Sequence, residues 1–185
     1  MRRIKYKIRR IWDIVRYEFP NYLRNLKRFR KGLWHFRWYD RHGIFVLLND
    51  GLTVMADKTE RYGIEIDETR LKKVTKMRRA AELLQNFVEE NFVEQAEAEI
   101  GALIMKKIEF TPSETHPGSY ELVDNDTPEE KKHNRSIFNR AHEIEAEQWN
   151  ELMEILKGQD LKKFKPGKAD WLDWYDGSGL QNWWD

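Results

Sequence analysis

The chain has no cysteine among its 185 residues. Disulfides, thiolate metal sites and cysteine nucleophiles are thereby excluded, and a cytosolic home is the simplest reading. No apolar run reaches the roughly 18–20 residues that a membrane-crossing helix needs, so no transmembrane segment is expected. A secretory leader is not expected either, because Asp13 and Glu18 interrupt the basic N-terminus and no apolar block follows. Internal repeats, low-complexity segments, a Walker loop, a Gly-x-Ser-x-Gly elbow and a Ser/His/Asp pattern are all missing. His142-Glu143 opens like a zinc-protease motif, but Ala146 stands where the second histidine belongs. Glu130 and His133 form one Glu-x-x-His pair, and a di-iron bundle needs two. Both read as solvated helix surface, so neither a metal nor a cofactor is expected. Nothing in the residues argues for an enzyme.

What the chain does contain is charge, aromatic residues and helical periodicity. Hydrophobic residues make up 40% and charged residues 35%, which excludes a mainly disordered chain. The charge is divided. Residues 1–42 carry 14 Lys/Arg against 3 Asp/Glu, a net of +11, while the remainder carries 19 against 29, a net of −10. Such a division marks an anionic partner for the basic end, or mutual neutralisation within the fold or an oligomer.

The periodicity predicts a mainly α protein, a multi-helix bundle with long helices, a small β-hairpin insertion and a C-terminal Trp-rich docking tail. A single helical domain is expected over residues 1–185. It comprises a basic N-terminal helix over 1–19, helices over 20–63, a long helix over 67–100, a hairpin or loop over 104–126, a long helix over 128–157 and an aromatic, acidic tail over 158–185. The first helix shows an apolar stripe at Ile4, Ile8, Ile11, Trp12, Val15 and Phe19. It reads as a core helix with a charged outer face, or as a basic amphipathic helix for an anionic membrane or nucleic acid. Pro20 suggests a break or a new helix start. Asp40 is a candidate N-cap for a helix ending near Gly63, and Thr127-Pro128-Glu129-Glu130 is the clearest helix start. Leu71, Val74, Met77, Ala81, Leu84 and Val88 mark the inner face of the 67–100 helix. Ile137, Ile144, Met153 and Leu156 mark that of the 128–157 helix.

Residues 22–39 carry the most informative pattern, that of a second helix expected to run to about Tyr39. At about 100° per residue, Tyr22, Leu26, Phe29, Leu33 and Phe36 share a core-facing stripe. Lys27, Lys31, Trp34, Trp38 and Arg41 fall roughly 140° away on the same geometry, with Arg37 between the two faces. Indoles stack on bases and Lys/Arg neutralise phosphate, so Trp34, Trp38, Lys27, Lys31, Arg37 and Arg41 form a candidate nucleotide-binding face. The tail, DWLDWYDGSGLQNWWD, offers Trp171, Trp174, Trp183 and Trp184 for contact, with Gly177-Ser178-Gly179 as a flexible elbow. Asp170, Asp173 and Asp176 are placed to pair with the basic face. The tail is then a structural latch, a latch bordering a ligand site, or a surface for a protein partner.

Four segments together resemble a phage accessory family, small helical proteins of tailed bacteriophages that end in a GSG…WWD motif. They are IWDIVRYEFPNYLRNLKRFRKGLWHFRWYD, KKVTKMRRAAELLQNF, HNRSIFNRAHEIEAEQWNELMEILKGQD and DGSGLQNWWD. Gln181-Asn182 stands where the group is expected to carry Arg-Gly, which removes a cation near the tail. The resemblance implies a viral protein of the host bacterial cytoplasm, expected to be a homo-oligomer. By analogy with phage sponges that sequester nucleotide signals of host defence, it implies an anti-defence role and an anionic nucleotide ligand. A host-protein partner, as virion component or inhibitor, and nucleic acid bound through residues 1–42 are the alternatives.

Overall fold

The computed structural model describes residues 2–106, 109–113, 115–116, 118–123, 125–167 and 170–183. The protein is mainly α, with one small two-stranded antiparallel sheet among the described residues. It forms two compact units, one of Met1–Val88 with Leu152–Asp185, the other of Glu89–Glu151.

The first unit begins with α1 (Arg2–Asp13), a π-helical turn (Ile14–Glu18), α2 (Phe19–Arg28) and α3 (Arg30–His35). Pro20 marks a new helix start, in the first turn of α2, rather than a break in the run. A proline has no N–H for the carbonyl four residues back, and its ring crowds that carbonyl. The chain opens to wider spacing just before it, where the Phe19 N–H reaches the Ile14 carbonyl. The expected helix to Tyr39 stops instead at His35, and Phe29 interrupts it at ψ 8°. Asp40 then caps α4 (Arg41–Tyr62), its Oδ1 accepting from the His42 N–H at 2.9 Å. Gly43 lets α4 approach Phe36, where an added Cβ would lie 3.0 Å from the Phe36 Cα, whereas Gly51 faces open space.

α5 (Asp67–Glu89) carries the core of this unit. Met77, Ala80, Leu83 and Leu84 are fully buried, with Leu52 and Ala56 from α4. The rings of Phe45 and Phe87 lie 5.8 Å apart. The inner face of α7 (Pro128–Lys157) differs from the expectation near its end. Leu152 and Ile155 are buried there, while Met153 is exposed. Both pairs are apolar and one residue apart, so periodicity alone did not separate them.

The long helix expected over 67–100 is two helices, α5 and α6 (Phe92–Ile100). Glu90 takes a left-handed φ of 52° between them. Acids at a helix C-terminus oppose the helix dipole, and Glu89-Glu90 places two there. Asn91 restarts the chain, its carbonyl accepting from the Gln95 N–H at 3.1 Å.

In the second unit, β1 (Glu109–Pro112) pairs antiparallel with β2 (Tyr120–Val123), Glu109 opposite Val123. Thr127 and Glu130 form a reciprocal cap at the start of α7. Thr127 Oγ1 accepts from the Glu130 N–H at 3.2 Å, and Glu130 Oε2 accepts from the Thr127 N–H at 2.7 Å. The Lys106 ammonium, with that N–H, holds the Glu130 carboxyl below its usual range. Arg140 is bracketed by Glu99, Glu143 and Glu147, and its guanidinium holds Glu99 below its usual range.

Candidate functional site

The structure leaves both candidate indoles open to solvent. Trp34, on α3, is 80% exposed, and Trp38, in the connection to α4, is 87% exposed. The helical wheel that grouped these residues assumed one unbroken helix. Lys27 instead lies on α2, Lys31 and Trp34 on α3, Arg37 and Trp38 in the connection, and Arg41 at the first position of α4. Arg37 ties the connection together. Its Nη1 donates to the Phe36 carbonyl at 3.0 Å and the Trp34 carbonyl at 3.4 Å, capping carbonyls that the end of α3 leaves unpaired. Trp38 meets Tyr39 edge to face at 5.5 Å. Lys27, Lys31, Arg37 and Arg41 are all exposed.

The stripe expected to face the core does not. Tyr22, Leu26, Leu33 and Phe36 are exposed, and α2 buries no residue. The spacing that identifies an apolar face carries no information on whether this chain covers it. Tyr22 and Leu26 therefore extend an open apolar surface, which begins at Ile11 and Trp12.

The tail docks, but on α5 rather than on residues 22–39. Lys72 Nζ donates to the carbonyls of Leu172 and Tyr175, the latter at 3.0 Å. Lys76 Nζ lies 3.7 Å from Asp176. Gln159 takes the Asp176 N–H at 3.1 Å and donates to the Trp174 carbonyl at 2.8 Å, and the Gly179 N–H reaches the Ile155 carbonyl at 2.8 Å. Asp170 caps α8 (Trp171–Trp174) through the Leu172 N–H, so it does not reach the basic face. Trp171 stacks on Tyr175 at 5.1 Å and meets Phe164, as does Trp174. Trp183 is buried, its Nε1 donating to the Gly177 carbonyl at 2.7 Å. Trp184 lies outside the described residues. Gly177-Ser178-Gly179 is no elbow, since all three residues are buried in the contact. The tail-binding cations are Lys72 and Lys76, four residues apart on one face of α5, whereas the Lys73 ammonium turns to Glu65.

Two titrating groups make this docking pH-dependent. Partial burial alone raises the Asp176 carboxyl, but the hydroxyl and N–H donated by Ser178, with the Lys76 ammonium, outweigh it and hold it below its usual range. The ionised form therefore supports docking above the ordinary value of about 3.8, and that support is lost as pH falls through the lower folded value. Burial, with the charges of Glu65 and Asp176, pushes the Tyr175 phenol up to about 12. Its support is complete below the ordinary value of 10 and is lost as pH rises towards about 12. Near-ultraviolet circular dichroism of the tail aromatics is expected to hold steady across neutral pH and collapse at both extremes. Loss of signal near pH 7 would contradict this assignment.

A groove of about 760 Å³ runs beside the tail, walled by Ile64, Ile66, Leu161, Trp171, Leu172 and Tyr175. Glu65 and Lys73 lie among its lining and form an ion pair. Lys73 is buried, and Glu65 Oε2 is buried without a hydrogen-bond partner. Sequence reasoning missed this pair, because a Glu-Lys separation of eight residues across a helix start has no periodic signature. With Asp170 also present, the groove offers no net positive charge to a phosphate.

The remaining histidine and glutamate motifs have structural partners. His133 Nε2 donates to the Ala102 carbonyl at 3.0 Å, and Glu130 serves the cap and Lys106. Among the described residues, no group of three or more His, Asp or Glu side chains is placed to hold a metal ion. No described helix is long and apolar enough to cross a membrane. No family model, no curated protein and no solved structure matches the chain.

Proposed function

We propose that the chain is a phage-encoded accessory protein that binds a phosphorylated nucleotide and, as a homo-oligomer in the host cytoplasm, sequesters a nucleotide signal of host defence. The observation that carries the reading is the exposure of Trp34 and Trp38, which flank Arg37 in the sequence. Arg37 spends Nη1 on two carbonyls, which leaves Nε and Nη2 for a phosphate. Lys27, Lys31 and Arg41 add positive charge along the neighbouring elements. The indoles lie on an open surface, and small ligands bind in concave sites. A second copy supplying the opposite wall is therefore part of this reading.

The test is fluorescence and calorimetric titration with ATP and with cyclic dinucleotides. Wild-type protein is expected to saturate. Trp34→Ala and Trp38→Ala are each expected to weaken binding about tenfold, as the loss of one stacking platform should. Full affinity in the double variant, with its helicity intact, would sink the site.

Nucleic acid is the second reading, favoured by the net charge of +11 on residues 1–42 and the exposure of their described side chains. A steep fall in oligonucleotide affinity with rising salt, and no saturation by mononucleotides, would favour it. A host-protein grip through the tail has less support, since Tyr175, Gly177, Ser178, Gly179 and Trp183 are buried.

A further inference from the structure

The arm from Arg2 to Arg28 leaves its apolar stripe uncovered. None of its described side chains is buried, and only Pro20 is half-buried. Ile11, Trp12, Val15, Phe19, Leu23 and Leu26 are all exposed. On an ideal α-helix their spacing places them within about 120° of one another, a stripe wide enough for an apolar surface, and the π-helical turn at Ile14–Glu18 shifts the later residues of the stripe without burying any of them. The other faces carry the cations. Residues 2–28 hold ten Lys/Arg and two Asp/Glu. The reading of this segment as a core helix is therefore replaced by that of an amphipathic arm whose apolar face the described residues do not cover.

We propose that this arm lies in the plane of an anionic lipid bilayer, its Ile11–Leu26 stripe at the acyl boundary and its cations among the headgroup phosphates. Charge decides among the candidate partners. Paired copies of the arm would bring together cation-rich flanks with two acids each, where stable helix pairs place opposite charges beside their seam. Nucleic acid would satisfy the cations and leave the stripe in water. An anionic bilayer satisfies both at once, which is the pattern of helices that lie on membranes rather than cross them.

Local geometry agrees. The Arg16 guanidinium lies 4.9 Å from the Trp12 ring centre and 5.6 Å from that of Tyr17, so a cation already spans the border between the apolar and charged faces. Ile11, Trp12, Val15 and Arg16 enclose a shallow notch of about 170 Å³ with almost entirely apolar walls.

The experiment is co-sedimentation of the full chain with vesicles of phosphatidylcholine alone and with phosphatidylglycerol added. Binding to the anionic vesicles is expected to be at least about tenfold tighter, given the attraction of each cation near such a surface. Ile11→Asp/Val15→Asp is expected to abolish it. Both positions are exposed, so circular dichroism should show the helices retained. Trp34→Ala/Trp38→Ala is expected to keep full vesicle binding, so this result is independent of the nucleotide reading. Three outcomes would overturn the proposal. One is equal or absent binding to both vesicles. Another is wild-type binding by Ile11→Asp/Val15→Asp. The third is an oligomer of wild type that the same variant dissociates, which would assign the stripe to a second copy.

Discussion

Gly177→Ala is expected to destabilise the first unit by about 3 kcal/mol, combining left-handed backbone strain with overpacking. The backbone there has φ 86°, in the region that favours glycine. An added Cβ would lie 2.3 Å from the Lys72 carbonyl carbon and 2.4 Å from its oxygen. Neither atom can yield, because both belong to the backbone of α5. The tail must lift, and lifting breaks the hydrogen bonds from Lys72 to the Leu172 and Tyr175 carbonyls and exposes Tyr175. For a chain of this size that loss corresponds to a fall of roughly 6–12 °C in the unfolding midpoint. Thermal melts read the shift. Limited proteolysis should show cleavage between Phe164 and Trp183 at temperatures where wild type resists. A variant that melts with wild type and resists protease would show that the tail does not seat on Lys72.

The second large effect concerns Glu65 and Lys73. Removing one member of a buried ion pair leaves the other unpaired in a medium that solvates it poorly. The Lys73 side chain is 8% exposed and that of Glu65 24%. Glu65→Ala is therefore expected to cost about 3 kcal/mol. Lys73→Ala should cost a comparable amount, since Glu65 Oε2 already lacks a partner. The double variant Glu65→Leu/Lys73→Met should recover most of the loss, because apolar residues suit the neighbouring Ile64, Ile66 and Leu172. Urea unfolding of the four proteins at neutral pH reads the two losses and the recovery. Single variants within about 0.5 kcal/mol of wild type would mean that the pair behaves as an ordinary surface contact.

Much of the local structure was legible. Asp40, Thr127 and Gly63 mark helix ends because capping chemistry is short-range, and a few neighbouring residues contain all of it. Lys106–Phe110 and Tyr120–Val123 locate the hairpin for the same reason, although Lys107 and Ile108 lie outside the described residues. The breaks at Phe29 and Glu90 were not legible. Periodicity continues across each of them, and a single residue changing its backbone angles leaves no trace in an apolar pattern. The candidate site shows the same limit. Trp34 and Arg37 are recognisable as stacking and phosphate-binding types, but the wheel that joined them to Trp38 and Arg41 failed where the helix stopped.

By itself the sequence determined the helix-forming segments, the division of charge and the amphipathic character of residues 4–36, since these depend on neighbours within a few positions. Tertiary structure alone decided which apolar faces are covered. It seats the acidic, tryptophan-rich tail on Lys72 and Lys76 of α5 and leaves the stripe from Ile11 to Leu26 in solvent. Both are amphipathic and aromatic, so composition treats them alike. The difference lies in steric fit, because the backbone of Gly177 can approach the carbonyl of Lys72 and no described residue presents an equivalent surface to the arm.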